Sequence, residues 1–92
     1  MNEVDIAKDV VKKFEYKHGK GESRGACYTI ASMIWLLLPR SRLVRGYIRM
    51  IQGDAQHWWV VLEDGTIIDP LADMYMDKPF EHIKVGENER EG

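Results

Sequence analysis

The 92-residue chain has one cysteine, three histidines and three prolines. A lone cysteine excludes an internal disulfide framework, and with so few histidines it also excludes the common structural zinc patterns. No glycine-rich phosphate-binding loop of either common type is present. Long apolar runs are missing too. The longest apolar run without a charge, Ala26–Pro39, is too short to span a bilayer and lies too far into the chain for a signal peptide. Together these absences predict no metal, no cofactor and no membrane association. They also point to the cytoplasm, where reducing conditions preserve a free thiol.

What remains is 45% hydrophobic and 30% charged, the balance of one small soluble domain. Its net charge of -2 conceals an uneven layout. Residues 1–22 carry five acids and five lysines. Ser23–Gly53 holds no acid at all, but contains Arg24, Arg40, Arg42, Arg45 and Arg49. From Asp54 onward, ten acids face three bases. The simplest arrangement sets the basic and acidic stretches side by side in the fold. The alternative is an arginine surface for an acidic partner. Nucleic acid is a poor candidate for that partner, because no aromatic platform is interleaved with the arginines.

Periodicity predicts an amphipathic helix over residues 3–17, with Val4, Ala7, Val11 and Phe14 on its apolar stripe and Ile6 and Val10 widening it. His18-Gly19 is its stop signal. Gly19–Gly25, with three glycines and no apolar anchor, reads as a mobile loop. A second helix starts near Gly25 or Ala26 and ends at Leu38, before Pro39. It is apolar on nearly every side, which predicts a central, buried helix.

Leu43–Ile51 alternates as a strand, with Val44, Gly46, Ile48 and Met50 on the buried side. Gln52–Ala55 reads as a turn, His57–Glu63 as a Trp- and Val-rich strand, and Asp64-Gly65 as a hairpin loop returning through Thr66–Asp69. Leu71–Val85 is expected to be irregular cover for a sheet edge. The domain then occupies residues 1–85, and Gly86–Gly92, charged and without apolar side chains, reads as a disordered tail. The expected class is α+β: an N-terminal helix and a buried helix packed on a small antiparallel sheet.

Three residues could carry chemistry together: Cys27, His57 and Asp69. Cys27 falls in the first turn of the buried helix, where free N–H groups and the helix dipole favour a thiolate over a thiol. Its titration should lie below the ordinary ~8.5 of a free cysteine. His57 opens the Trp-rich strand. Asp69 ends the apolar run Ile67-Ile68-Asp69, where a carboxylate needs a partner, although Asp-Pro is also an ordinary turn starter. Whether His57 and Asp69 meet depends on the hairpin. A two-residue loop, Asp64-Gly65, pairs Asp69 with Val60 and turns it away from His57. A three-residue loop, Glu63–Gly65 with a left-handed Gly65, pairs it with Trp59 and makes His57 its diagonal neighbour on the same face.

The stretch Gly25-Ala26-Cys27-Tyr28 with its helix, the Val44–Ile48 strand, His57-Trp58-Trp59 and Ile68-Asp69-Pro70 resemble the core of the transglutaminase-like superfamily, related in site design to papain-like cysteine proteases. The likeness covers about residues 23–73, in order and spacing. It implies Cys27 as nucleophile, His57 as base and Asp69 as the group that orients the base, with the site at the helix tip against the sheet edge. Trp59 takes the place of the tryptophan that follows the histidine. The family's oxyanion donor has no readable counterpart. The Cys27 N–H with a neighbour, Gln56 or a loop amide from Gly21–Arg24, could serve, and Arg24 and Tyr28 flank the nucleophile.

These residues predict a thiol hydrolase of amide or peptide bonds acting through an acyl-enzyme on Cys27, with a protein or peptide substrate. The same triad would also suit a protein-glutamine transglutaminase or deamidase. A third reading is a non-catalytic interaction domain using Arg24, Arg40–Arg49 and Met74–Met76.

Overall fold

The computed structural model describes residues 2–89. In chain order it comprises α1 (Glu3–His18), a 3-10 turn (Glu22–Gly25), α2 (Cys27–Leu37), β1 (Arg42–Met50), β2 (Gly53–Val61), β3 (Ile67–Ile68), α3 (Pro70–Tyr75) and β4 (Phe80–Glu89). The strands form one antiparallel sheet in the order β3-β2-β1-β4. The class is α+β, as the sequence suggests.

α1 is capped by Asn2, whose side chain accepts the Asp5 N–H at 2.8 Å. Glu3 and Asp5 in the first turn and Lys17 and His18 in the last match the helix dipole. The helix buries Ala7, Val10 and Val11, while Val4, expected on the stripe, is largely exposed. α2 packs Ile30, Ala31 and Ile34, with Leu38 just past its end, into one core with α1, Leu43, Val60, Ile68 and Leu71. It is not buried all round. Tyr28, Met33, Leu36 and Leu37 lie open to solvent. A domain this small has too little chain to wrap a central helix on every side.

The opposite face of the sheet holds a second core, Val44, Ile48 and Trp59, with Met50, Val61, Met76 and Phe80 packed against it. The apolar side of β1 is therefore buried as its alternation predicts. Its cover is the chain's own C-terminal segment, and Leu43, on the other side, meets the helices.

Three departures concern the C-terminal half. The expected turn Gln52–Ala55 is shorter, because β2 already begins at Gly53, opposite Met50. Arg49 and Asp54 then sit across the ladder 3.5 Å apart, a pair that suits polar residues to a strand. Leu71–Val85 is not irregular: it contains α3 and most of β4. Gly86–Glu89 belongs to β4, pairing with Arg42–Arg45, so this part of the expected tail is ordered; residues 90–92 lie outside the described residues. Backbone pairing along a strand needs no apolar side chains, which is why composition misread it.

β1 thus runs between two strands that carry acids. Arg42 approaches Glu87 at 4.0 Å, and Arg40 in the preceding turn approaches Glu63 at 3.8 Å. Basic and acidic stretches lie side by side, as the charge layout suggests. Exposed pairs of this kind contribute at most ~1 kcal/mol each. Among the described residues no helix is long and apolar enough to cross a membrane.

The register between β1 and β4 shifts between Arg45 and Gly46, which face Gly86 and Lys84, leaving Val85 as an extra residue. Such a bulge bends the strand. Gly46 permits the bend, since a side chain there would run into the Ile83 carbonyl and the Trp59 ring. Gly46→Ala should therefore destabilise the fold by about 3 kcal/mol. Urea unfolding checks this, and a midpoint equal to wild type would show that β4 does not approach as closely as described.

Candidate active site

The loop before Cys27 is held by polar groups. Oε2 of Glu15 on α1 accepts the Gly21 N–H (2.7 Å), the buried Ser23 hydroxyl (2.8 Å) and the Tyr75 hydroxyl of α3 (2.7 Å). These donors keep the Glu15 carboxyl below its usual range, Tyr75 contributing most. Gly21 adopts a left-handed conformation, φ +82°, and opens the 3-10 turn. The segment read as mobile is thus tied down. An isolated glutamate on an amphipathic helix gives no sequence signal of this.

α2 begins directly after that turn. Its N-cap is Ala26, which has no side chain to cap the first amides. The half-buried Cys27 thiol lies in their field and beside His57. The His57 hydrogen bond draws the thiol below its ordinary value, against the opposing effect of burial; the His57 charge and the N–H groups of Trp58 and Tyr28 add to it. The Trp58 amide is available for a structural reason. Across β2 and β3, Leu62 donates to Thr66 at 2.8 Å, so even-numbered residues of β2 turn their backbone groups toward β3. β3 ends at Ile68, and Pro70 starts α3, leaving the β2 edge open where Cys27 lies.

The hairpin takes the three-residue form. Gly65, at φ +91°, donates to the Leu62 carbonyl at 2.9 Å, and Val60 pairs with Ile68. Asp69 therefore follows on the His57 side. Nε2 of His57 lies 2.9 Å from Oδ1 of Asp69, with both side chains buried. Nδ1 is the ring nitrogen left for the thiol. Burial works against a charged His57 ring, but hydrogen bonds to Asp69 and Cys27 and their negative charges outweigh it, raising His57 to about 9. Burial pushes Asp69 up, yet the hydrogen bonds from His57 and His82, the His57 charge and the Ala72 N–H bring it below its usual value. That amide lies 3.1 Å from Oδ1, so Asp69 also caps α3.

The structure thus brings Cys27, His57 and Asp69 together. The flanking candidates divide. Tyr28 is exposed and sets its ring against Trp58, centroids 4.7 Å apart at 71°. Arg24 is exposed, lies over the Tyr75 ring at 5.4 Å and reaches the Gly21 carbonyl. Gln56, exposed, precedes His57 on the other face of β2. Trp59 is only 2% exposed, so it supports the histidines from beneath and offers no surface to a substrate.

His82 escaped sequence reading. Its Nε2 lies 2.7 Å from Oδ2 of Asp69, and its ring meets Trp59 edge-on at 4.7 Å. Within Phe80–Val85 the apolar residues Phe80 and Ile83 fall on opposite faces of a strand, so the segment shows no clean alternation and carries no strand signal. Among the described residues no three acidic, histidine or cysteine side chains are placed to hold a metal ion.

Compared with family models, with curated proteins and with solved structures, the chain matches none.

The His57 ring should titrate near 9 by NMR. Cys27→Ala should lower that midpoint by removing a hydrogen bond and a negative charge, and an unmoved midpoint would mean that thiol and ring are not in contact. The raised value also fixes a sign for stability. His57 contributes fully below its unfolded value of ~6.5, and the contribution fades as pH rises through about 9.

Proposed function

We propose that this protein is a cysteine hydrolase of amide or peptide bonds, with Cys27 as nucleophile, His57 as acid and base and Asp69 as the group that orients His57. The observation that carries the reading is the chain of contacts from thiol to imidazole to buried carboxylate, with a lowered thiol and a raised imidazole. A thiolate paired with imidazolium is the reactive form at neutral pH. The resemblance of the Cys27, His57 and Asp69 segments to the transglutaminase-like superfamily points the same way.

In this mechanism the thiolate attacks the carbonyl carbon, and the Cys27 N–H at the uncapped start of α2 receives the developing oxyanion. His57 gives its proton to the leaving amine as the C–N bond breaks, leaving a thioester on Cys27. Deprotonated, His57 then takes a proton from water, whose oxygen attacks the thioester and releases the acid and the thiol. The open β2 edge and the exposed Tyr28 beside Trp58 suit an extended peptide. A free thiolate belongs in a reducing compartment, which favours the cytoplasm.

Iodoacetamide alkylation tests the thiol. Cys27 should react faster than free cysteine at neutral pH, and His57→Ala should shift its pH midpoint upward. Identical profiles in the two proteins would sink the reading. Asp69→Asn should lower turnover by roughly 10³- to 10⁴-fold, since the amide favours the wrong histidine tautomer. Incubation with glutamine-containing peptides, with and without an added amine, separates peptide cleavage from deamidation and transamidation by mass.

A further inference from the structure

We propose that His82 is a positioning residue of the site: it holds Oδ2 of Asp69 from the far edge of the sheet, so that Oδ1 stays on His57. The inference rests on the reading of Cys27 and His57 as the reacting pair.

The geometry is unusual for a residue with no role. His82 lies on β4, opposite Ile48 of β1, whereas Asp69 follows β3 at the other edge. With strands ~4.8 Å apart, a flat sheet would separate β4 from β3 by ~14 Å, beyond the combined reach of a histidine and an aspartate. Their 2.7 Å contact requires the sheet to curl over its second core. Gly46 and the bulge at Val85 supply that curl.

The carboxylate then has a donor on every side: His57 from β2 and the Ala72 N–H from α3 on Oδ1, and His82 on Oδ2. Without His82, Oδ2 would be a buried anionic oxygen beside Trp59 with no donor, and the carboxylate would gain by protonation or rotation. Either change withdraws support from His57. His57 and His82 bear on Asp69 directly and Cys27 of α2 through His57, while Lys8 of α1 and Asp73 of α3 line a shallow cleft shared with Asp69. On β4, Lys84 is drawn to Glu87 at 3.2 Å, and Glu81 is exposed. Phe80, with its ring 5.6 Å from His82, and Trp59 fix the imidazole plane.

A donor on Oδ2 means that Nε2 of His82 carries the proton. The test combines two variants with one measurement on the unaltered protein. His82→Phe keeps the ring packing and removes the donor; His82→Gln keeps a donor. In His82→Phe, Asp69 should take up its proton at higher pH. The acid limb of Cys27 alkylation should then move up by on the order of one to two pH units, and His82→Gln should recover most of the shift. Thermal melting monitors the fold separately. In unaltered protein labelled with ¹⁵N-histidine, the neutral His82 ring should show a protonated Nε2, whether or not His82→Phe folds. A bare Nε2 would overturn the proposal, as would a folded His82→Phe whose profile overlays wild type, or equal shifts in both variants. Slow alkylation of the unaltered protein would instead defeat the catalytic reading, leaving the His82 tautomer measurement to stand by itself.

Discussion

Much of this structure is arranged around one buried carboxylate. An anion taken out of water costs several kcal/mol unless donors replace the solvent. Asp69 obtains them from three separate elements: His57 on β2, His82 on β4 and the Ala72 amide at the start of α3. Satisfying it fixes where α3 begins, how far the sheet curls and which nitrogen of His57 is free. The requirement links a two-residue strand, a six-residue helix and an edge strand, none of which would be stable alone.

The same economy recurs at Glu15. A loop with three glycines has high conformational entropy to lose, and no apolar side chain in it repays that loss. One carboxylate oxygen, receiving Gly21, Ser23 and Tyr75, does so with polar contacts. Both anchors act on the approach to Cys27, one through the loop that leads into α2 and the other through His57. A small domain with a limited apolar core can thus hold Cys27, His57 and Asp69 in place with hydrogen-bonded anions.

The exposed side of α2 has the same origin. With α1 on one flank and β2 beneath, no element among the described residues covers Met33, Leu36 and Leu37. The acidic strand partners of β1 likewise leave its arginines only partly neutralised, so the surface stays mixed in charge.

Features that depend only on neighbours along the chain could be read without the fold. The periodicity of residues 3–17, the stop at Pro39, the alternation of β1 and the Asp64-Gly65 turn each act over a few residues, so α1, α2, β1 and the β2–β3 hairpin were legible. So was the choice of Cys27, His57 and Asp69 as candidates, because a helix start, a strand start and a strand end are local features. The hairpin left two registers open, since both loops suit the same residues. The fold decided between them by placing Asp69 where His57 could neutralise it. Tertiary structure alone decided the rest. β4 is a strand because β1 had an unpaired edge, a demand that Phe80–Glu89 does not encode in its own pattern. Trp59 is buried because the second core forms on its face of the sheet, with Val44 and Ile48, and His82 reached Asp69 only because the curl closed a gap between strands remote in the sheet order. Local sequence carries the period of an element; the distance between two such elements is set by everything packed between them.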